Sequence, residues 1–407
     1  MKKLLIFSLA LFIQPVFGHG GVERTSLLKE AEIRLFVADN MNSDLVTIDL
    51  PSGQVVNRVS TPPSIMTLQV GGNNNHIYAM RGRDTDEGVM SIISTGYDKK
   101  EKKFRPPYVI RTLQVDTPGG GRNNGSGHVM ATVNGHDAVL TEGDGKIIVL
   151  MNDEIDGFSK LRTKTYDLAA PDHYHYLEGE KYLYIGHLFK GFVQILKKST
   201  GKEVKRIGNC PLLNGMGRDE ESGRLFFSCR TEVVVVGTKG KERTEEITRI
   251  AYPDKGRSCA AFLNGKQRVR WCYTEGIIPQ LYRLDAAADD YQFDRLAVES
   301  SIRQDVTKDG EYLLILSKDG HLTLRDGFDG SFIRKVKVSE PFDGVWNEDV
   351  SKAILPDIVS HNGIAYISLT HEGRVVEVDL KEGKVNRYMD IGGFPTRMVL
   401  LAKEDLQ

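Results

Sequence analysis

The chain has few of the features that announce chemistry. It holds four cysteines and two tryptophans in 407 residues, and its 54 lysines and arginines are offset by 55 aspartates and glutamates. A formal charge of −1 leaves no basic footprint for nucleic acid or for an anionic membrane surface. No stretch reaches the roughly twenty apolar residues of a membrane-spanning helix, so no membrane insertion is expected. CxxC spacing is absent, which argues against a thiolate zinc site. The glycine-rich stretch 118–127 has no GKS or GKT after it, which excludes a P-loop and leaves a flexible loop leading to His128. Long helical periodicity is missing as well. Ser-His-Asp and Cys-His constellations show no local spacing.

What is present begins with an export pattern. Lys2 and Lys3 precede an apolar run over residues 4–13, and the small residues Val16 and Gly18 stand at −3 and −1 of a cut after Gly18. This reads as a cleavable signal over 1–18, then a lead-in over 19–33 and a single domain over 34–407. The expected location is the periplasm or the cell exterior, and the expected state a monomer. The cut would expose His19, whose amine and imidazole can chelate copper, although a disordered terminus is the simpler expectation. In an exported chain, Cys210, Cys229, Cys259 and Cys272 imply two disulfides. A two-residue turn at Gly265-Lys266 would put Asn264 opposite Gln267 and Cys259 opposite Cys272, within disulfide reach. Cys210 then pairs with Cys229.

The remainder repeats one theme. Short apolar strands begin at Arg34, His76, Asp137, Tyr182, Arg224, Val269, Tyr312 and Ala365, most of them about 40–45 residues apart. Each is followed by a turn and another strand. A further strand precedes each, over 64–71, 128–135, 172–179, 258–265, 303–310 and 356–363, more loosely around Asn214, and at the C-terminus over 396–402. The pattern predicts an all-β propeller of eight four-stranded blades, with seven as the alternative. The C-terminal strand is expected to close the ring on the N-terminal blade.

In a propeller the first strand of each blade is innermost, so the strand starts form one ring at a channel mouth. That ring reads Ser64, His128, Asp172, Ser258, Arg303 and Pro356, with Asn214 and Thr396 by looser alignment and His173 beside Asp172. Residues 84–88 resemble a calcium loop only faintly, and a solvated turn is the better expectation. Residues 99–105 read as a solvated basic loop.

Several segments, taken together, carry a resemblance. They are Arg34-Leu-Phe-Val-Ala-Asp39, Gly127-His128, Ala170-Pro171-Asp172-His173, Cys210-Pro211 with Asn214-Gly215, Phe227-Ser-Cys229 and Asp343-Gly344-Val345-Trp346-Asn347. In order and spacing the chain resembles the AztD-type periplasmic zinc metallochaperones, β-propellers that accompany zinc ABC importers. The resemblance supports the Cys210–Cys229 pair. It implies a zinc or small-ligand site at the channel mouth and a solute-binding protein of a zinc ABC importer as partner. The family carries histidines where this chain has Asp172, Asn214, Arg303 and Val345. A reduced metal set of His128, His173 and Asp172 is therefore expected, with Asn214, Arg303, Asp343 and Asn347 as orienting or ligand-binding groups. The competing expectations are a propeller enzyme, of the quinoprotein-dehydrogenase or metal-dependent lactonase kind, and a ligand-free interaction platform.

Overall fold

The computed structural model describes residues 31–61, 65–81, 88–116, 129–157, 160–237, 244–253, 259–274, 280–288, 290–298, 300–345 and 354–406. His19, Ser64, His128, Ser258, Asn347, the signal segment, the stretch 118–127 and most of 84–88 lie outside them. The described strands form eight four-stranded antiparallel sheets and one two-stranded hairpin, so the ring has eight blades rather than seven.

Burial follows position within the blade. Second and third strands, such as Leu183–Ile185 and Val193–Leu196, are buried on both faces because each blade is sandwiched between two neighbours. This accounts for their near-continuous apolar runs. Fourth strands are mostly exposed and carry charge, as in Lys384–Asp390 and Gln54–Ser60, which discourages pairing with another chain. The apolar packing has no single centre. It falls into eight clusters, one at each blade–blade interface.

The innermost strands are Ile65–Val70, Val129–Val133, Tyr174–Glu178, Gly215–Arg218, Ala261–Asn264, Ser301–Val306 and Ile358–His361 for blades 2 to 8. Blade 1 takes Pro395–Ala402 as its inner strand, antiparallel to Ile33–Asp39, with Ile33 opposite Ala402 and Asp39 opposite Pro395. The closure expected from the sequence is present. A C-terminal 3-10 turn, Lys403–Leu406, ties the end down: Lys308 Nζ lies 2.7 Å from Asp405 and Asn74 donates to the Asp405 carbonyl at 2.9 Å.

Both expected disulfides form, Cys210–Cys229 and Cys259–Cys272, with Cα separations of 4.7 and 5.4 Å. The register expected for the second does not hold. Asn264 pairs with Arg270 and Phe262 with Cys272, because the turn widens into a 3-10 segment, Lys266–Arg268, with Gln267 and Arg268 at positive φ. Cys259 therefore lies before its strand and reaches Cys272 from outside the ladder. Residues 99–102 are exposed, as a solvated loop requires, and form the tip of a hairpin whose base, Tyr97–Asp98 with Lys103–Phe104, is anchored. Arg34, which is buried, stacks its guanidinium 4.6 Å from the Phe104 ring and donates to the Arg105 carbonyl and to Asp49. Part of the loop charge is paired locally, as Asp98–Arg105, Glu101–Lys103 and Glu101–Arg105.

Removal of the inner strand of blade 1 exposes the edge of Ile33–Asp39 and unpins the ring. A chain ending before Pro395 is expected to aggregate or to lose cooperative melting by circular dichroism. A truncated chain that melts like the parent overturns this.

Candidate functional site at the channel rim

Antiparallel order places two kinds of segment at one end of the ring: the entries to the innermost strands and the turns between second and third strands. His173 stands just before the inner strand of blade 4, and Glu142 opens the second turn of blade 3, after His136–Thr141. The two therefore meet across a blade boundary, with His173 Nδ1 2.8 Å from Glu142 Oε1. Glu142 is 1 % exposed and His173 8 %. A proton on Nδ1 makes that contact favourable and leaves Nε2 as the lone-pair nitrogen. The His175 ring sits edge-on to His173, 5.4 Å between centroids. It occupies the next position along the same side of the strand, as alternation requires.

Asp172 is in a different setting. It is fully buried, and its carboxylate accepts from three backbone N–H groups: His173 at 2.7 Å, Phe189 at 3.0 Å and Lys190 at 2.9 Å. His187 Nδ1 lies 3.7 Å from its second oxygen. Burial pushes the Asp172 carboxyl upward, but the His187 imidazole and the three N–H donors outweigh it and hold the group below the usual carboxylate range. His187 is itself enclosed, stacked on Phe192 and 3.2 Å from Gln194 Oε1. Asp172 thus fixes the turn after Tyr182–His187 onto the strand entry that carries His173.

The other expected site residues fall in separate places. Asn214 is half-buried at the entry to blade 5, its N–H donating to the Ser228 carbonyl at 3.2 Å. Asp343 is exposed and paired with Lys318 at 2.8 Å. Arg303 is not at the rim, because the inner strand of blade 7 starts two residues earlier than expected, at Ser301. Its guanidinium lies 2.6 Å from Asp357, whose other oxygen accepts the Met398 N–H at 3.0 Å. Asp305, two residues on along the same face, is pushed up to about 7 by burial, with Arg303 pulling the other way. Among the described residues, no group of three or more His, Cys, Asp or Glu side chains is placed to hold a metal ion. Glu142 had a sequence signal that strand starts alone do not capture: an acidic residue in a second turn stands at the same rim.

Neither a family model nor a curated sequence matches the chain. Solved structures match its fold over most of its length. Apo AztD from Citrobacter koseri superposes with a TM-score of 0.72 at 17 % identity, covering 91 % of this chain and 97 % of that one. A second Citrobacter koseri AztD structure gives 0.72 at 18 % over the same shares. Dihydro-heme d1 dehydrogenase NirN in complex with DHE gives 0.61 at 11 %, covering 90 % of this chain and 74 % of that one. The class these matches define is the eight-bladed propeller. Within that class the AztD structures superpose better than NirN, which agrees with the resemblance carried by the sequence segments.

The Asp172→Ala substitution leaves three N–H donors without their acceptor and is expected to destabilise the fold by about 2–4 kcal/mol. A carboxyl held low in the folded state contributes its stability above its unfolded pKa, about 3.9, and loses it as pH falls through the lower folded value. The gap between wild-type and variant melting temperatures should therefore be constant above about pH 5 and narrow below pH 4. Equal melting at pH 7 sinks this account of Asp172.

Proposed function

We infer that the protein is an exported metal-binding propeller that holds zinc, or a similar ion, at the channel rim as cargo for a transport partner. The observation that carries this is the buried Glu142–His173 contact. A metal-ligating histidine ordinarily donates its other ring N–H to a carboxylate, which fixes the tautomer and raises ligand basicity. The 2.8 Å approach of Nδ1 to Glu142, a close charge contact rather than an aligned hydrogen bond, favours that tautomer and leaves Nε2 for the ion. His128 immediately precedes the inner strand of blade 3, Val129–Val133, in the sequence and is assigned as the second imidazole. Asp172 acts through the strand entry as a positioning residue rather than as a ligand. Two imidazoles leave coordination positions for water or for a receiving protein, which suits an ion that must be released. The two disulfides accord with an oxidising compartment. The receiving partner is assigned as the solute-binding protein of a zinc ABC importer, on the strength of the AztD resemblance.

Competition titration with a chromophoric zinc chelator tests this on the untagged protein. His128→Ala with His173→Ala should abolish competition, and Glu142→Gln should weaken zinc binding about 10–100-fold with the fold intact. Affinity should fall as pH drops through the imidazole range near 6.5, since only neutral imidazole ligates. Equal zinc binding by wild type and the double variant overturns the site.

A further inference from the structure

The far half of the channel has a different character from the rim. A cavity of about 570 Å³ opens there, bounded by the inner strands of blades 1 to 5 and the residues just after them. Its floor is apolar: Leu68, Val70, Met130, Ala131, Leu177 and Val399. These belong to four inner strands, those of blades 1 to 4. Several, including Val70, Met130, Leu177 and Val399, are only partly buried, so apolar surface stays open within the channel.

The polar groups at the edge are mostly committed. Gln69 accepts the Met130 N–H at 3.0 Å, and the Tyr176 hydroxyl donates to the Thr132 carbonyl at 2.6 Å. Asp137 accepts from Gly72 N–H and from the Tyr78 hydroxyl, each at 2.7 Å. Glu178 is neutralised by Lys198 at 2.9 Å. Arg218 is the one cation among the described residues lining the cavity. One guanidinium nitrogen donates to the Glu178 carbonyl at 3.0 Å, which fixes the group in place. Its Nε lies 3.2 Å from Glu220, whose side chain is 77 % exposed and so is readily displaced into solvent.

We propose that this cavity is a second binding site, for a medium-sized amphipathic carboxylate whose apolar body rests on the Leu68–Met130–Leu177–Val399 floor and whose acid group pairs with Arg218. The volume falls within the range of small-molecule pockets, roughly 300–1,000 Å³. An apolar floor with one fixed cation at its polar edge can orient such a ligand. Arg presents the planar fork that a carboxylate fits, and Glu220 occupies that position in the empty protein. The site is remote from His173 along the channel and does not depend on the metal assignment.

Isothermal titration of the full chain with 1-naphthoate, and with uncharged 1-naphthalenemethanol, tests the proposal. Saturable 1-naphthoate binding is expected at micromolar to sub-millimolar concentration. Arg218→Gln should weaken it about tenfold or more, the scale of one charge-assisted pair, and leave the alcohol nearly unaffected. Glu220→Gln, a change at an exposed side chain, should tighten naphthoate binding by freeing Arg218. His173→Ala should leave it unchanged, which separates this site from the metal site. Absence of saturable binding by wild type up to about 5 mM, or equal naphthoate binding by wild type and Arg218→Gln, overturns the proposal.

Discussion

The junction at Asp39 and Asn40 holds the two ends of the chain in one blade. The Asp39 carboxylate accepts the N–H of Met41 at 3.1 Å and of Phe394 at 2.9 Å, so one side chain joins residues 355 apart in sequence. Asn40 adds a donor to the Thr396 hydroxyl at 3.1 Å and to the Ile65 carbonyl at 3.0 Å, which extends the tie into blade 2. Gly393, at φ +59°, must be glycine, because a Cβ there would run into the Asp39 carboxylate. A propeller without this closure has two open sheet edges and loses one of its eight interface clusters. Because no central core exists, every interface depends on the ring remaining closed.

Closure also sets the geometry of the rim. Glu142 and His173 come from different blades, and their contact exists only because blades 3 and 4 are held face to face by Ala138, Leu140, Leu183 and Ile185. Local braces then position His173. The Cys210 N–H donates to the Gly191 carbonyl at 3.0 Å, so the Cys210–Cys229 bridge borders the turn whose Phe189 and Lys190 N–H groups hold Asp172. Asp172 in turn accepts the His173 N–H. The path from disulfide to imidazole runs through the turn at Phe189 and Lys190, which is exposed, to the carboxylate of Asp172, which is buried.

The channel divides its chemistry along its length and around its circumference. Imidazole and carboxylate groups gather at the rim between blades 3 and 4. On the blade 7 and 8 side, Arg303 and Asp357 form an ion pair anchored to the backbone of Met398. The lower wall has an apolar floor from blades 1 to 4 and a polar edge that ends at Arg218 of blade 5. One scaffold of short strands supports all three because successive inner-strand side chains pack toward opposite neighbouring blades, as Met130 and Ala131 do, so each strand serves two interfaces.

Strand alternation, the recurring turns and the lone strand at the C-terminus pointed to the propeller and its closure and favoured eight blades, with seven left open until the sheets were in view. Those features are local or periodic, and short apolar runs bounded by turn residues, such as Leu45–Ile48 and Arg374–Asp379, mark the strands buried on both faces. The cysteine pairs were legible for a similar reason, since each lies within one or two neighbouring strands. What the sequence could not supply was which side chains meet across a blade boundary. Asp172 and His173 are adjacent in sequence and were expected to act together, yet one is consumed by the backbone of its own blade and the other turns to Glu142 of the preceding blade. Strand entries that shift by one or two residues, as at Ser301, move a side chain from the rim into the channel wall. The Glu142–His173 pair, the apolar lower cavity and the position of Arg218 were therefore decided by tertiary structure alone, because each depends on the distance between strands that the chain joins only through the closed ring.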